Sequence, residues 1–406
     1  MGNQLFRIRK ITLAVTLLFI GIVFVPATVR MRMSSSTILQ INLISYCGLL
    51  LLLQRALRGR EACINRNMEA VFLLATILFG MIDYLLQGIG QQSLLMFLSY
   101  FVFPIFLLLC DIRNEEMKKR IILLWYRYLS IAAHIVFLSM LIDAFTGHAA
   151  SKTLYDIFQI PSMLQMINEG RSVTLYGHSL TSKTITMLYY LMSVTLNETG
   201  LKKTKTMWSM FVCSFCVLMA GSKGGVLLLL IAVLIINFRY RRIRYLLLSV
   251  VVVYVLFLAG LFDTVLERFL TSATLTTGRL SAIEAVLSNR NYRFYVFHGT
   301  TGISTTDYTM QGFGEISIFA WAYRHGVLNA VLRTITLYMF PALVILRGKK
   351  PRLFIMFLLM IMEFNTSNYI SSTGDGLFVY IIMLWVFLMI NSIHEISDNE
   401  LRNEVV

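Results

Sequence analysis

The stretch TMWSMFVCSFCVLMAGSKGGVLLLLIAVLIINF occupies residues 206–238, and after the basic run RYRRIRY it is followed by LLLSVVVVYVLFLAGLF at residues 246–262. A helix needs about 20 predominantly apolar residues to cross the hydrocarbon of a bilayer. The stretch offers three apolar runs in succession, although the two around Ser222-Lys223-Gly224 are short for a span. It therefore predicts consecutive membrane helices joined by short polar turns.

Composition extends this prediction to the whole chain. Hydrophobic residues make up 57% of the 406 residues and charged residues only 14%, and the mean hydropathy is +0.72. These values are typical of a polytopic helical membrane protein and exclude a soluble globular one. We expect an all-α fold with a single integral membrane domain over residues 1–406. The formal net charge of +15 does not indicate nucleic-acid binding, because the basic residues stand in short runs between apolar runs.

Apolar runs recur along the chain and predict about twelve transmembrane spans. They lie near residues 11–29, 37–57, 67–87, 93–112, 121–145, 179–196, 206–221, 225–238, 245–262, 327–346, 353–372 and 376–395. Lysine and arginine runs follow every second span, so they all fall on one side of the membrane. The positive-inside rule makes that side the cytoplasm. Both termini, including the tail at residues 396–406, are then predicted to be cytoplasmic.

Two longer polar segments lie on the opposite, outer side: a first outer loop at residues 146–179 and a larger outer loop at residues 263–326. The larger loop is the longest polar interval of the chain and carries several arginines. Basic residues on this side run against the positive-inside tendency, so they need another explanation. Arginine binds phosphate oxygens through paired hydrogen bonds, and an anionic ligand at the membrane surface would account for them.

Ionisable residues also occur inside the predicted spans, where an unpaired charge is costly. Each is expected to form a structural ion pair or to line the floor of a polar chamber. These residues are Asp83, Arg127, His134, Asp143, Lys183, Arg333 and Glu363.

Four short motifs occupy set places in this layout. Ser222-Lys223-Gly224-Gly225 separates two spans, Thr277-Gly278-Arg279 lies near the start of the larger loop, and the segments 171–178 and 315–326 each precede a span. Together they resemble motifs of the bacterial O-antigen and capsular polysaccharide polymerases (Wzy-like) and of the related O-antigen ligases. The Ser-Lys-Gly-Gly turn resembles the family's Ser-Arg-Gly turn, and the Thr-Gly-Arg motif is similar to its Ser-Gly-Arg. In the segment 315–326, Glu315 stands where the family has a histidine that is more typical of ligases, so the resemblance favours a polymerase.

The resemblance implies a GT-C-like membrane glycosyltransferase. Such an enzyme polymerises undecaprenyl-pyrophosphate-linked oligosaccharide repeat units into O-antigen or capsular polysaccharide on the outer face of the bacterial inner membrane. It needs no cofactor and works in a metal-independent way. Its implied partners are the lipid-linked glycans, membrane lipids, a chain-length regulator and a flippase.

The implied reaction needs cations to stabilise the departing pyrophosphate and a base to activate the acceptor hydroxyl. The candidate pyrophosphate-binding residues are Arg171, Arg279, Lys223, Arg293 and Arg324, and Arg279 is also a candidate catalytic residue. Glu315 is the first candidate for the base and His178 is its rival. Glu315 is equally placed to cap a helix N-terminus, where a carboxylate is stabilised by the helix dipole. The outer-side histidines and carboxylates lack ligand spacing, so no metal site is predicted.

Two other functions remain alternatives. An O-antigen ligase would transfer the glycan to lipid A core instead of to a second lipid-linked glycan. A flippase or other transporter for lipid-linked oligosaccharides would be expected to show two similar halves with matching broken helices. The two long loops lie after the fifth and the ninth predicted spans, so the halves of this chain do not correspond.

The predicted topology can be tested with reporter fusions. Fusions after Arg60, Lys119, Lys205, Arg242 and Lys350 should report the cytoplasm, whereas fusions near Lys152 and Thr300 should report the outer side. The reason is that the basic runs are retained in the cytoplasm. A fusion after Arg242 that reported the outer side would overturn the assignment of both outer loops.

Overall fold

The computed structural model describes residues 2–33, 42–58, 62–64, 68–86, 98, 102–237, 251, 279–288, 293–299, 317–366 and 375–393. Most of these residues are helical, which confirms the predicted all-α class in its broad form. The small exception is an antiparallel pair of three-residue strands, β1 (Ala62–Ile64) and β2 (Cys110–Ile112), with Cys63 opposite Asp111.

The helices are numbered here in chain order. The first five are α1 (Gly2–Phe24), α2 (Ala27–Met33), α3 (Leu43–Leu57), α4 (Met68–Leu86) and the single turn α5 (Phe103–Phe106). The next six are α6 (Glu115–Thr146), α7 (Ala149–Phe158), α8 (Pro161–Asn168), α9 (Ser179–Glu198), α10 (Thr206–Met219) and α11 (Lys223–Asn237). The last six are α12 (Arg279–Ser288), α13 (Ser317–His325), α14 (Val327–Thr334), α15 (Phe340–Arg347), α16 (Pro351–Thr366) and α17 (Asp375–Ser392). A π-helical stretch, Ile335–Met339, joins α14 to α15.

Three helices in the described ranges are both long and apolar enough to cross a membrane: Glu115–Thr146, Val327–Arg347 and Asp375–Ser392. Five shorter apolar helical segments are Lys10–Phe24, Leu43–Leu57, Ala70–Leu86, Thr206–Met219 and Lys223–Ile236. Each of the eight overlaps a predicted span, and the five shorter ones have 17 residues or fewer. The predicted span at residues 245–262 falls almost wholly outside the described residues.

Two predicted spans differ from the structure. The run at 11–29 is divided, because α1 ends at Phe24 and α2 begins at Ala27. Pro26 lies between them and lacks the backbone N–H that a continuing helix would need. The end of the run at 93–112 is not one helix either: it consists of α5, a 3₁₀ turn at Leu107–Leu109 and the strand β2.

The core is built around α9 and α17, which are buried along most of their length. Two large aromatic residues of α17 are buried with their polar atoms hydrogen-bonded. The Trp385 ring N–H donates to the carbonyl of Cys110 at 2.7 Å, and the Tyr380 hydroxyl donates to the carbonyl of Leu337 at 2.7 Å. Such bonds remove the cost of placing a polar tip in an apolar interior.

Contacts between segments that are distant in the chain show which residues lie at each end of the helical bundle. At one, called the basic end, Lys118 donates to the Ser392 hydroxyl at 2.7 Å. At the other, called the loop end, the guanidinium of Arg30 makes two hydrogen bonds to Asp375, at 2.8 and 2.9 Å. The helix α2, which carries Arg30, also hydrogen-bonds to the first outer loop. The first outer loop and the basic run around Lys118 therefore lie at opposite ends of the bundle.

Candidate functional site

The first outer loop is a folded unit at the loop end. Its helices α7 and α8 bury Met163, Met166 and Ile167 in a small apolar cluster. Ser151 anchors this unit to the end of α6, because its backbone N–H donates to Asp143 at 2.9 Å and its hydroxyl bonds the Val173 carbonyl at 3.1 Å. The buried Asp143 is thus a structural partner, one of the two roles expected for charges inside spans.

Arg171 joins this loop to the turn between α10 and α11. Its side chain is 10% exposed, and its Nε–H donates to the Ala220 carbonyl at 3.0 Å. The next residue, Ser172, donates its backbone N–H to Met219 at 3.3 Å. Since Ala220 lies three residues before Lys223, two of the predicted pyrophosphate-binding cations belong to elements in direct contact.

The Ser-Lys-Gly-Gly turn also packs on a buried ion pair. Lys183 Nζ lies 3.1 Å from Glu363 Oε1, and both side chains are fully buried. The Thr184 hydroxyl donates to the same carboxylate oxygen at 2.7 Å. A Cβ on Gly225 would lie 2.6 Å from Lys183 Cδ, so this position has room for glycine alone beside the lysine stem. We call Lys183, Thr184, Gly225 and Glu363 the lysine cluster.

His178 occupies the N-cap of α9. Its ring Nδ1 accepts the backbone N–H of Leu180 at 3.1 Å. A neutral histidine whose Nδ1 is an acceptor carries its proton on Nε2, so it has no ring nitrogen left to take a second proton without losing this bond. This geometry favours a capping role over the predicted role as a base.

The larger outer loop is described in three pieces that pack together. Ala282 and Val286 of α12 form a small apolar cluster with Tyr323 of α13, and the Phe294 ring meets Tyr323 edge-on at 5.7 Å. The cluster fixes the segment 293–299 against α13. The α12 helix begins at Arg279.

The predicted site residues of this loop are distributed unevenly. Arg293 is exposed at the start of the segment 293–299. Arg324 lies in the last turn of α13, where burial lowers the pKa of its guanidinium. Glu315 and the side chain of Arg279 lie outside the described residues.

Two glycines allow close backbone packing at the junction of α13 and α14. A Cβ on Gly299 would fall 1.8 Å from the Arg324 carbonyl oxygen, so the segment 293–299 can approach this backbone only at a glycine. Gly326 has φ +87°, a left-handed conformation that other residues rarely adopt. The backbone N–H of Val327 donates to Tyr295 at 2.9 Å, which closes the junction.

Asp83 of α4 contacts both segments of this junction through its carboxylate. Its Oδ1 accepts the Gly299 N–H at 2.8 Å, and its Oδ2 lies 2.9 Å from Nδ1 of His325. Asp83 is 2% exposed, whereas the His325 side chain is 24% exposed. The Asp83 carboxylate is therefore buried, whereas the His325 imidazole is partly exposed.

A second guanidinium lies close to this pair. Arg333 is 3% exposed; its Nε–H donates to Asn329 at 3.0 Å, and its Cζ lies 5.6 Å from the centre of the Trp321 ring. Burial lowers the pKa of His325 to about 4, and the positive charge of Arg333 acts in the same direction. We call Asp83, Gly299, Arg324, His325 and Arg333 the histidine cluster.

The sequence does not indicate that the members of the histidine cluster lie close together. It expects Asp83 and Arg333 to be paired or to line a chamber, but it assigns no role to His325. The sequence feature that could have indicated this pairing is a carboxylate near the end of one apolar run and a histidine just before another. The sequence also predicts that Arg127 is paired or lines a chamber in the same way, but it is exposed and lines a groove with Lys119 and Lys202 at the basic end.

No protein-family model matches this chain, and neither does any curated protein or solved structure. The structure alone therefore defines the class: over the described ranges, a mostly helical protein with three helices long and apolar enough to cross a membrane. The buried charges at the loop end include Arg30 and Arg171. Among the described residues, no three histidine, cysteine, aspartate or glutamate side chains come together as they would around a metal ion.

The lysine cluster can be tested through stability. Replacing Lys183 by Met leaves the Glu363 carboxylate buried without its cation, which should cost about 3–5 kcal/mol. The double variant Lys183→Met/Glu363→Met removes both charges and should recover most of that loss. Unfolding by SDS in mixed micelles would measure both values. Equal losses in the single and double variants would contradict an ion pair of this kind.

Proposed function

We propose that this protein is a membrane glycosyltransferase that polymerises undecaprenyl-pyrophosphate-linked oligosaccharide repeat units into O-antigen or capsular polysaccharide. The observation that carries the proposal is the contact between Arg171 and the turn leading to Lys223. Two segments that are far apart in sequence bring their cations to one end of an apolar bundle. A lipid-linked pyrophosphate would meet such cations at the membrane surface.

The apolar faces of the bundle suit the lipid part of this substrate. Leu74 and Leu78 of α4 and Leu230 and Leu234 of α11 each expose more than half of their surface. Exposed leucines at helical spacing on two apolar helices favour contact with lipid chains. A polyprenyl tail could lie along such a face while its headgroup stays at the loop end.

The cations of the loop end would serve the departing group. When the bond between the anomeric carbon and the pyrophosphate breaks, negative charge grows on the phosphate oxygens, and preorganised cations stabilise that charge. Arg171 is held in place by Ala220 and by Glu169, whose carboxylate lies 3.5 Å from Nη1. In the proposal Arg171, Arg279 and Lys223 bind the pyrophosphate, with Arg293 and Arg324 nearer the sugar chain.

A base completes the reaction by taking the proton of the acceptor hydroxyl as that oxygen bonds to the anomeric carbon. Glu315 remains the candidate from the sequence for this role. The reaction yields a glycan one unit longer and a free undecaprenyl pyrophosphate. The same chemistry would serve an O-antigen ligase, with lipid A core as the acceptor.

A gene deletion in the host separates the three functions by the surface polysaccharide that remains on a gel. A polymerase leaves a product with a single repeat unit, a ligase leaves polymer that is not attached to lipid A core, and a flippase leaves no exported glycan. The proposal expects the single-repeat product. Either of the other two outcomes would replace the proposed function.

Arg279 offers a test of the leaving-group role. Arg279→Ala should abolish polymer, and Arg279→Lys should leave only a little, because lysine keeps the charge and loses the paired hydrogen bonds. Lys152, an exposed cation of the first outer loop, is a suitable control, and Lys152→Ala should leave polymer unchanged. Polymer length on a gel measures all three variants. Full polymer from Arg279→Lys would rule out paired binding of phosphate by this residue.

A further inference from the structure

We propose that His325 is the general base of the glycosyl transfer and that Asp83 is its positioning residue. This inference rests on the proposed function and assigns the base to a residue that the sequence left without a role. It stands on the contact between Asp83 Oδ2 and His325 Nδ1 at 2.9 Å. The two residues are 242 positions apart in the chain, so the fold alone brings them together.

The contact determines which ring nitrogen carries the proton. A carboxylate accepts hydrogen bonds and does not donate them, so Nδ1 of His325 must be the protonated nitrogen. In the neutral ring Nε2 then has a lone pair that can accept a proton. No hydrogen bond of Nε2 to another described residue competes for that lone pair. His178 has the opposite arrangement, since its Nδ1 is the acceptor.

The second oxygen of Asp83 fixes the orientation of the pair. Oδ1 accepts the Gly299 N–H at 2.8 Å, and the close approach of Gly299 to the His325 backbone leaves little room for either to move. The Asp83 carboxylate therefore binds the segment 293–299 through one oxygen and the imidazole of His325 in α13 through the other. A positioned carboxylate that sets the tautomer of a histidine is a recurring device for general bases.

Burial, together with the charges of Arg333 and Arg324, lowers the pKa of His325, so the ring is neutral at neutral pH. Asp83 of α4 favours the protonated ring, whereas Arg333 of α14 and Arg324 of α13 itself oppose it. His298 and Tyr295 of the segment 293–299 are further titratable groups at this junction. With burial as the largest cause, the pKa of His325 falls to about 4. The ring can thus accept a proton at neutral pH without already holding one.

Proton and electron pair move in opposite directions in the proposed step. The oxygen of an acceptor sugar hydroxyl forms a bond to the anomeric carbon of the donor glycan, and its proton passes to Nε2 of His325. The bond from that carbon to the pyrophosphate oxygen breaks, and the lipid pyrophosphate leaves with the electron pair. The imidazolium then passes its proton to water. Arg324 and Arg333 lie close enough to His325 to oppose its protonated form, which favours this transfer of the proton to water.

The test uses purified full-length protein, a synthetic undecaprenyl-pyrophosphate oligosaccharide and measurement of released undecaprenyl pyrophosphate. His325→Gln should lower turnover by roughly 10²- to 10⁴-fold while donor binding is retained, because glutamine can bond to Asp83 but cannot take a proton. His298→Gln is the matched control: His298 stacks on Tyr295 at 4.3 Å in the same junction and should be dispensable. Full turnover in His325→Gln would overturn the inference.

Asp83→Asn probes the positioning role separately. The new amide would donate to Nδ1, leaving the proton on Nε2, so turnover should again fall by roughly 10²- to 10⁴-fold. The double variant Asp83→Asn/His325→Gln should be no slower than the slower single variant, because the two residues act as one unit. Losses that multiply in the double variant would show that Asp83 acts independently of His325.

The pH profile of the wild-type protein tests the role of His325 even where a variant fails to fold, and the profile of Asp83→Asn tests the pairing. The neutral ring is the active form, so turnover should be flat near neutral pH and fall as the pH drops through about 4. In Asp83→Asn this acid limb should move to lower pH, since Asp83 raises the pKa of His325. A wild-type profile without this acid limb, or a limb unaffected by Asp83→Asn, would overturn the pairing.

Glu315→Gln separates this inference from the sequence-based candidate. If Glu315→Gln is inactive while His325→Gln is active, the base is Glu315 and the glycosyltransferase function still stands. If wild-type protein releases no undecaprenyl pyrophosphate and lengthens no glycan, the proposed function itself fails. The two failures therefore have different signatures.

Discussion

A charge buried among apolar helices costs several kcal/mol unless a partner neutralises it, and the loop end of this protein is arranged around that constraint. Lys183 meets Glu363 across α9 and α16, and Arg30 meets Asp375 across α2 and α17. Each pair joins helices that are distant in the chain. Because an unpaired member would be so costly, the pairs specify which helix ends come together.

The same constraint explains why the polar loops are folded rather than loosely attached. Asp143 is enclosed at the end of α6 and accepts bonds from Ser151, which ties α7 to α6. Arg171 is enclosed as well and is satisfied by the Ala220 carbonyl. Each buried group draws a loop segment onto the bundle, and the cations of those segments are thereby placed at defined positions.

The helical architecture could be predicted from local pattern, since a long apolar run such as 226–236 can satisfy its backbone hydrogen bonds within a single helix. The pairing of Asp83 with His325 could not be predicted in this way. It depends on a contact between α4 and α13 and on the fit of Gly299 against the α13 backbone, both of which arise only in the folded chain. Likewise, Arg127 lies in an apolar run, but its helix turns that residue outward. Periodicity locates a helix well, whereas the direction of one side chain depends on neighbours that are remote in sequence.

The lysine and histidine clusters are connected through aromatic packing. Asn365, two residues beyond Glu363, accepts the Tyr338 hydroxyl at 3.2 Å, and the Tyr338 ring stacks on Trp321 with 5.8 Å between ring centres. Trp321 in turn lies beneath the guanidinium of Arg333. Large rings packed in this way resist small displacements, because interiors at native density have no space for them. The lysine and histidine clusters are therefore held in a fixed arrangement by a continuous set of buried contacts.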